Sequence, residues 1–387
     1  MIFDQSQSHL FYVASQKKLI VNRWLRPALK PIDICDQFAF RPTGSTTIAL
    51  TFCFHHVTRL LETNNFVCCF LIDFKKAFDT VKHSILISKL KRLKLPHCIL
   101  NWIINFLSNR SQQVTFGGTT SSSFSITRSI IQGSGLGPTL YIVMESDLHP
   151  MSNWINLLFK YADDTNLLVP EITDISARAE IQNIRSWAFE NDMEINWDKT
   201  KELVFRRPNI GHCLSPDPIL NIEQVIEARL LGVEISAKFN FVSHVNNLLA
   251  ICSQRLFLLK LLRQQGMPQH EINIVYCAII VSRITYALPA WSGFLTADLR
   301  HRIDLMLKKC FKFGYSQQCD NISKLCEHAD SKLFNLLQKP ESCAHYLLPP
   351  SKPTTRSLRP RGHNYQLPRC HYTLYKNSFI CRTLYRK

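Results

Sequence analysis

The sequence predicts an α+β chain, and three observations carry that prediction. Apolar runs of strand length alternate with helix-length periodic segments up to about residue 240. From 242 to 313 the spacing is helical, with no strand signal between the helices. The last 49 residues, from Lys339, are rich in Pro, Arg, Tyr and His and hold no long periodic segment, which predicts irregular structure or folding on binding. The segments are therefore 1–66, 67–240, 241–338 and 339–387.

The elements follow in order. Lys17 to Leu29 reads as a helix with Leu19, Ile20, Trp24 and Leu25 on one face, ended by Pro27 and Pro31. Residues 36–47 read as a short strand turning into a loop, and Ile48 to Glu62 as a helix. Val67 to Phe74 is a continuous apolar run closing on Asp73, short enough for a buried strand. His83 to Leu95 carries apolar residues at 86, 90 and 93 and is stopped by Pro96. Gln113 to Phe116 and Phe124 to Arg128, around Gly117 and Gly118, read as a hairpin-type pair. Leu140 to Leu148 is helical. Leu157 to Tyr161 and Asn166 to Val169 flank Asp163 and Asp164, so that acidic pair falls in a tight turn between strands. A helix over Ile175 to Asn191 and strands at Leu203 to Phe205 and Arg229 to Ile235 complete the mixed region. Val242 to Gln265, Glu271 to Trp291 and Asp298 to Phe313 read as three helices.

Composition narrows the function classes. With 46% apolar residues the chain can bury a core, which excludes a disordered tail or a small disulfide-stapled domain. The net charge of +17 points to polyanionic partners. No N-terminal stretch reads as a signal peptide, and no uncharged apolar run reaches the length of a membrane span. The 14 scattered cysteines then read as reduced, largely buried thiols of an intracellular protein. Cys310, Cys319, Cys326, His328, Cys343 and His345 fall close together, but their intervals fit no standard zinc pattern.

Three carboxylates form the strongest constellation. Asp73 ends a buried strand, and Asp163 and Asp164 occupy a turn between two others. Antiparallel packing of those strands brings all three to one sheet edge. Aspartates without Cys or His partners favour hard cations, Mg²⁺ or Mn²⁺. Two such ions about 3.5–4 Å apart serve the attacking and leaving oxygens of a phosphoryl displacement. The alternative is plain turn chemistry for an Asp-Asp pair.

Tyr161-Ala162-Asp163-Asp164 resembles the YADD box of reverse transcriptases. Asp73 to Asp79 (DFKKAFD) resembles their first carboxylate box in its non-LTR form. Gln132 to Pro138 (QGSGLGP), Asp36 to Thr47 (DQFAFRPTGSTT), Asn196 to Lys201 (NWDKTK) and Leu231-Gly232-Val233 resemble four further boxes, all in the family's order. The stretch from Arg361 (RGHNYQLP) with Lys376 to Phe379 resembles the tail of jockey-like, LINE-type non-LTR retrotransposon polymerases. The resemblance covers nearly the whole chain. It implies a right-hand polymerase with partial fingers (1–66), an antiparallel-sheet palm (67–240), an all-helical thumb (241–338) and a basic irregular tail (339–387).

The same resemblance assigns roles. Asp73 and Asp163 are ligands shared by two Mg²⁺ (or Mn²⁺) ions, with Asp164 supporting them. Phe78 matches the steric gate that crowds a ribose 2′-hydroxyl. Gln132 and Gly133 match the loop that lets backbone approach template and incoming base, where a Cβ would intrude. Arg41 matches the fingers arginine on the triphosphate, or else is a surface arginine. Lys199 is an acid protonating pyrophosphate, or else a structural part of the Asn196–Lys199 turn. Asp79 reads as support for a helix N-terminus rather than a metal ligand.

The implied activity is RNA-directed DNA polymerisation, a nucleotidyl transfer that adds dNTPs to a DNA primer on an RNA template, inside the cell in nucleus or cytoplasm and with no membrane partner. A remnant that only holds nucleic acid is the alternative; a ribonucleotide polymerase is disfavoured by Phe78. Met1 precedes Asp36 by only 35 positions, leaving no room for the family's endonuclease or first fingers motif. Tyr141 to Leu148 (YIVMESDL) departs from the usual F-x-x-Y-I-N-D-L run, with Glu145 and Ser146 where an apolar residue and Asn are common. The expectation is a 5′-truncated, drifting copy that relies on an endonuclease in trans. The charge is uneven: +3 over 1–66, zero over 67–240, +5 over 241–338 and +9 over 339–387.

Overall fold

The computed structural model describes residues 19–29, 34–131, 133–152, 154–208, 216–219, 221–352 and 363–386. They are mixed helix and strand, and a five-stranded sheet has the order β6-β7-β1-β8-β9. In chain order the strands are β1 (Phe66–Ile72), β2 (Arg110–Gln112), β3 (Thr115–Phe116), β4 (Thr119–Thr120), β5 (Phe124–Ile126), β6 (Leu157–Tyr161), β7 (Asp164–Pro170), β8 (Lys201–Arg206), β9 (Glu223–Val225), β10 (Glu227–Leu230) and β11 (Val233–Ser236). β1 and β8 pair antiparallel from Phe66↔Arg206 to Leu71↔Lys201, while β8 and β9 pair parallel.

The chain divides into two compact units. One comprises 1–40, 72–167 and 173–200; the other comprises 41–71, 168–172 and 201–387. This division interleaves the segments read from the sequence instead of following their boundaries.

The first unit contains helices His83–Arg92, His97–Leu107, Gly137–Glu145 and Ala177–Glu190 and the strand β6 with the start of β7. Pro96 both stops one helix and caps the next. The expected hairpin of 113–128 is two nested ribbons: β3 pairs with β4 across Gly117 and Gly118, and β2 pairs with β5. The strand expected at 36–47 is reduced to one parallel bridge, Gln37↔Lys160, which lays residues 36–38 along β6. The backbone N–H of Lys160 donates to Asp36 O at 2.7 Å, and that of Phe38 donates to Lys160 O at 2.9 Å.

The second unit is built around aromatic rings. Phe54 lies 5.4 Å from Phe239 and 5.7 Å from Phe241, and Phe294 lies 4.7 Å from Phe239. The strand expected over Arg229 to Ile235 is the hairpin β10–β11, turned at Leu231 and Gly232, both with positive φ. Tyr286 packs 3.4 Å from where a Gly232 Cβ would sit, and its hydroxyl donates to Leu231 O at 2.7 Å. Helices Val242–Gln264 and Ala297–Lys312 match expectation. The helix expected over Glu271 to Trp291 runs through Gln269–Tyr276, a π turn at Cys277–Val281 and Ser282–Thr285, and is broken before Leu288–Trp291, where Ala287 adopts φ +48° ahead of Pro289. A fourth helix, Ile322–Leu337, is capped by Asn321, whose side chain accepts from Lys324 N at 2.8 Å.

By length and composition Val242–Gln264 and Gln269–Phe294 are long and apolar enough to cross a membrane, a match that counting uncharged runs misses. About 28% of the first apolar window and 39% of the second are buried, with Val245, Leu248, Cys252, Leu256 and Leu259 facing inward on the first.

The tail is more ordered than its composition predicts. Thr373–Lys376 and Phe379–Arg386 are helical, and the second buries Phe379, Ile380, Cys381, Arg382 and Leu384. The Arg382 guanidinium grips Asp330 bidentately, at 3.1 Å and 2.6 Å, and also donates to Pro289 O and Ser292 Oγ. Gly293 makes room for this: a Cβ there would meet Asn377 O at 2.1 Å.

Candidate active site

The candidate site lies in the first unit. Asp73 follows β1 and is fixed by its backbone: its N–H donates to Thr200 Oγ1 at 3.3 Å and its C=O accepts from Asn196 N at 2.7 Å. Thr200 Oγ1 in turn donates to Asn196 O at 2.8 Å. The Asn196 to Thr200 turn is therefore a clamp on the Asp73 backbone. Asp163 and Asp164 sit at the β6–β7 turn, as expected.

Asp73, Asp163, Lys199 and Asn196 line one open cleft of about 610 Å³, together with Lys75, Lys76 and Glu194. Asp164 reaches solvent, yet its carboxyl is pushed up to about 6, first by lost solvation and then by the charges of Asp163 and Asp73. Asp164 thus senses both other carboxylates as like charges. Among the described residues, no three His, Cys, Asp or Glu side chains converge as a ready metal cage. The donor set fits Mg²⁺ all the same: that ion is held by one or two carboxylates plus substrate phosphates and water, and crowded carboxylates are what a cation relieves.

The turn itself is strained. Ala162 has φ +57°, unusual for a residue with a Cβ. Gln37 holds it in place: the Gln37 carboxamide oxygen accepts from Ala162 N and Ala39 N, and its nitrogen donates to Ala162 O and Glu145 Oε2. Beneath the turn, Lys160 is 1% exposed. Its Nζ donates to the carbonyls of Glu145 and Leu148 and pairs with Asp36 at 3.1 Å. Glu145, equally buried, is pushed up to about 8 by burial, against the pull of Lys160 and of the Tyr141 hydroxyl.

Phe78 is half-buried. It stacks on Tyr141 at 4.2 Å and meets the edge of Phe40 at 6.5 Å. Gly133 has φ +78°, and a Cβ there would meet no protein atom within 4 Å, so its backbone conformation and not protein packing requires glycine. In the same loop Gly137 is needed for space, with Ile130 Cγ2 3.0 Å from a would-be Cβ. Asp79 lies in the first turn of a short helix, Ala77–Thr80. Gln132 lies outside the described residues. Arg41 belongs to the second unit, partly exposed in the turn before helix Thr46–Leu60. Gln37, Tyr141 and Glu145 were not singled out as site residues from sequence, although Gln37 sits in the DQF box and the other two in the segment that departs from the usual run.

The family profile described as "Reverse transcriptase (RNA-dependent DNA polymerase)" matches residues 13–235. The chain belongs to the reverse transcriptase family. It is similar to the RNA-directed DNA polymerase from mobile element jockey of Drosophila melanogaster, at 28% identity over 76% of this chain and 34% of that one. It is also similar to the probable RNA-directed DNA polymerase from transposon BS of Drosophila melanogaster, at 25% identity over 71% of this chain and 32% of that one. The chain thus spans about a third of the length of these relatives. Among solved structures it is similar to apo telomerase from Candida tropicalis, with TM-score 0.46 and 12% identity over 88% of this chain and 57% of that one.

Proposed function

We propose that the chain is an RNA-directed DNA polymerase of non-LTR retrotransposon origin, acting inside the cell on an RNA template, a DNA primer and dNTPs. One observation carries the reading: Asp73 and Asp163, 90 positions apart, line one cleft with Lys199, and Asp164 carries the imprint of both their charges. In the reaction the primer 3′-hydroxyl attacks the α-phosphate of a dNTP and pyrophosphate leaves. Asp73 and Asp163, supported by Asp164, would hold two Mg²⁺ (or Mn²⁺) ions, which supply charge neutralisation at the phosphates when bound. The chain's residues do the rest. Lys199, exposed on the cleft, gives a proton to pyrophosphate in this reading. Phe78 crowds a 2′-hydroxyl, Gly133 opens the backbone toward template and base beside Gln132, and Arg41 pairs with the triphosphate. The primer is a nicked genomic strand and the template the element's own RNA.

Primer extension on poly(rA)/oligo(dT) with Mg²⁺ tests this. Extension that disappears in Asp163→Asn supports the enzyme. Binding without extension by the wild-type chain overturns it in favour of a nucleic-acid-binding remnant.

A further inference from the structure

Tyr141 and Glu145 are both fully buried on helix Gly137–Glu145, and their polar atoms meet. The Tyr141 hydroxyl donates to Glu145 Oε1 at 2.6 Å, one helical turn away. Tyr141 is fully buried, so its hydroxyl requires an acceptor, and a buried carboxyl requires donors. The other oxygen, Oε2, receives Gln37 Nε2 at 3.4 Å, a long contact. Gln37 is the residue that brackets Ala162 next to the catalytic carboxylates, and Tyr141 is the residue on which the Phe78 ring lies, 18° from parallel.

We propose that Tyr141 and Glu145 are positioning residues that join the Phe78 ring to the Ala162–Asp163 turn, so that nucleotide selection and carboxylate placement share one support. This rests on the proposed polymerase function and deepens it: Glu145 is a working part, not drift. A Tyr at 141 with an apolar residue at 145 leaves a buried hydroxyl unsatisfied. A Glu at 145 with Phe at 141 leaves a buried carboxyl short of a donor. Only the pair is consistent.

The test uses the full chain on poly(rA) with a dideoxy-terminated oligo(dT) primer and Mg²⁺, measuring equilibrium binding of dTTP against UTP, which needs no turnover. The wild-type chain is expected to favour dTTP. Tyr141→Phe and Glu145→Leu are each expected to cut that preference about three- to tenfold, and the double variant to lose no more than either single one. Glu145→Gln, which keeps an acceptor for the Tyr141 hydroxyl, is expected to retain the preference. Unchanged preference in both singles, additive losses in the double, or no preference in the wild type overturns the proposal. Tyr141→Phe removes a single oxygen and keeps the test decisive if Glu145→Leu does not fold. Preference for dTTP without extension of an unblocked primer counts against the polymerase reading alone.

Discussion

Gln37 brackets Ala162: its carboxamide oxygen accepts from the Ala162 N–H at 3.1 Å and its nitrogen donates to the Ala162 C=O at 3.3 Å. A left-handed alanine beside two aspartates is held by a side chain 125 positions away. Gln37→Ala should release the turn, with a loss of about 1–3 kcal/mol in stability and a fall in extension rate. Gln37→Glu keeps the acceptor but loses the donor and should fall between. Denaturant melts and single-turnover extension check both.

Removing a carboxylate should be graded. Asp73→Asn and Asp163→Asn should abolish extension, while Asp164→Asn should leave a trace. Lys199→Ala should lower kcat about 10²-fold or more with little change in KM if the amine is an acid, the range expected for general acid catalysis. An unaltered kcat with lowered stability would assign Lys199 to the turn.

Phe78→Ala should admit ribonucleotides. Its ring is held by Tyr141 and Phe40, so the substitution opens space directly in front of a buried aromatic wall. Incorporation of UTP against dTTP should rise at least about tenfold, the size expected when a packed contact worth about 1.4 kcal/mol is removed from one competitor only.

Stability should fall toward both ends of the pH scale. Glu145 is held near 8 against an ordinary 4.5, so the folded chain keeps a proton that the unfolded chain releases. Its contribution is therefore greatest below 4.5 and is lost as pH rises to 8. His55 is held near 3 by burial and by Arg59 against an ordinary 6.5, and His244 near 4. Their contributions are complete above 6.5 and are lost as pH falls. Glu145→Gln should flatten Tm between pH 6 and 8. His55→Phe, which keeps a ring beside Tyr375, should flatten it between pH 6 and 4.

Salt dependence should separate structural cations from nucleic-acid ones. Lys308, Lys309 and Lys312 are exposed on helix Ala297–Lys312, and neutralising each should reduce the slope of log K against log salt by about 0.7–0.9. Arg382 is buried on Asp330. Arg382→Met should leave that slope alone and instead destabilise the fold by about 3–5 kcal/mol, because the buried Asp330 is left with Arg386 at 3.4 Å as its counterion.

What the sequence made legible is local. Strand β1 ending at Asp73, the Asp163–Asp164 turn and the helices at 177–190, 242–264 and 297–312 all follow from periodicity and punctuation. What it hid depends on distance. The helix Phe379–Arg386 is only eight residues long and carries two arginines, so it reads as solvated; its stability comes from Asp330, which no local window contains. The hairpin β10–β11 reads as one strand because an apolar residue, Leu231, shares the positive-φ turn with Gly232 and leaves the apolar run unbroken. Gln37 is an ordinary polar side chain until β6 is laid beside it. The first carboxylate box was readable, but not that its backbone is clamped by Asn196 and Thr200.

The Arg382–Asp330 pair also orders events in time. A ribosome delivers Asp330 fifty-two residues before the guanidinium that neutralises it. Until then a carboxylate destined for the interior has no counterion, and the pocket edged by Ser292 and Gly293 stands open. The second unit therefore cannot close this pocket until Arg382 has been added to the chain. Nascent chains stalled before that residue should be the ones that chaperones hold and proteases cut.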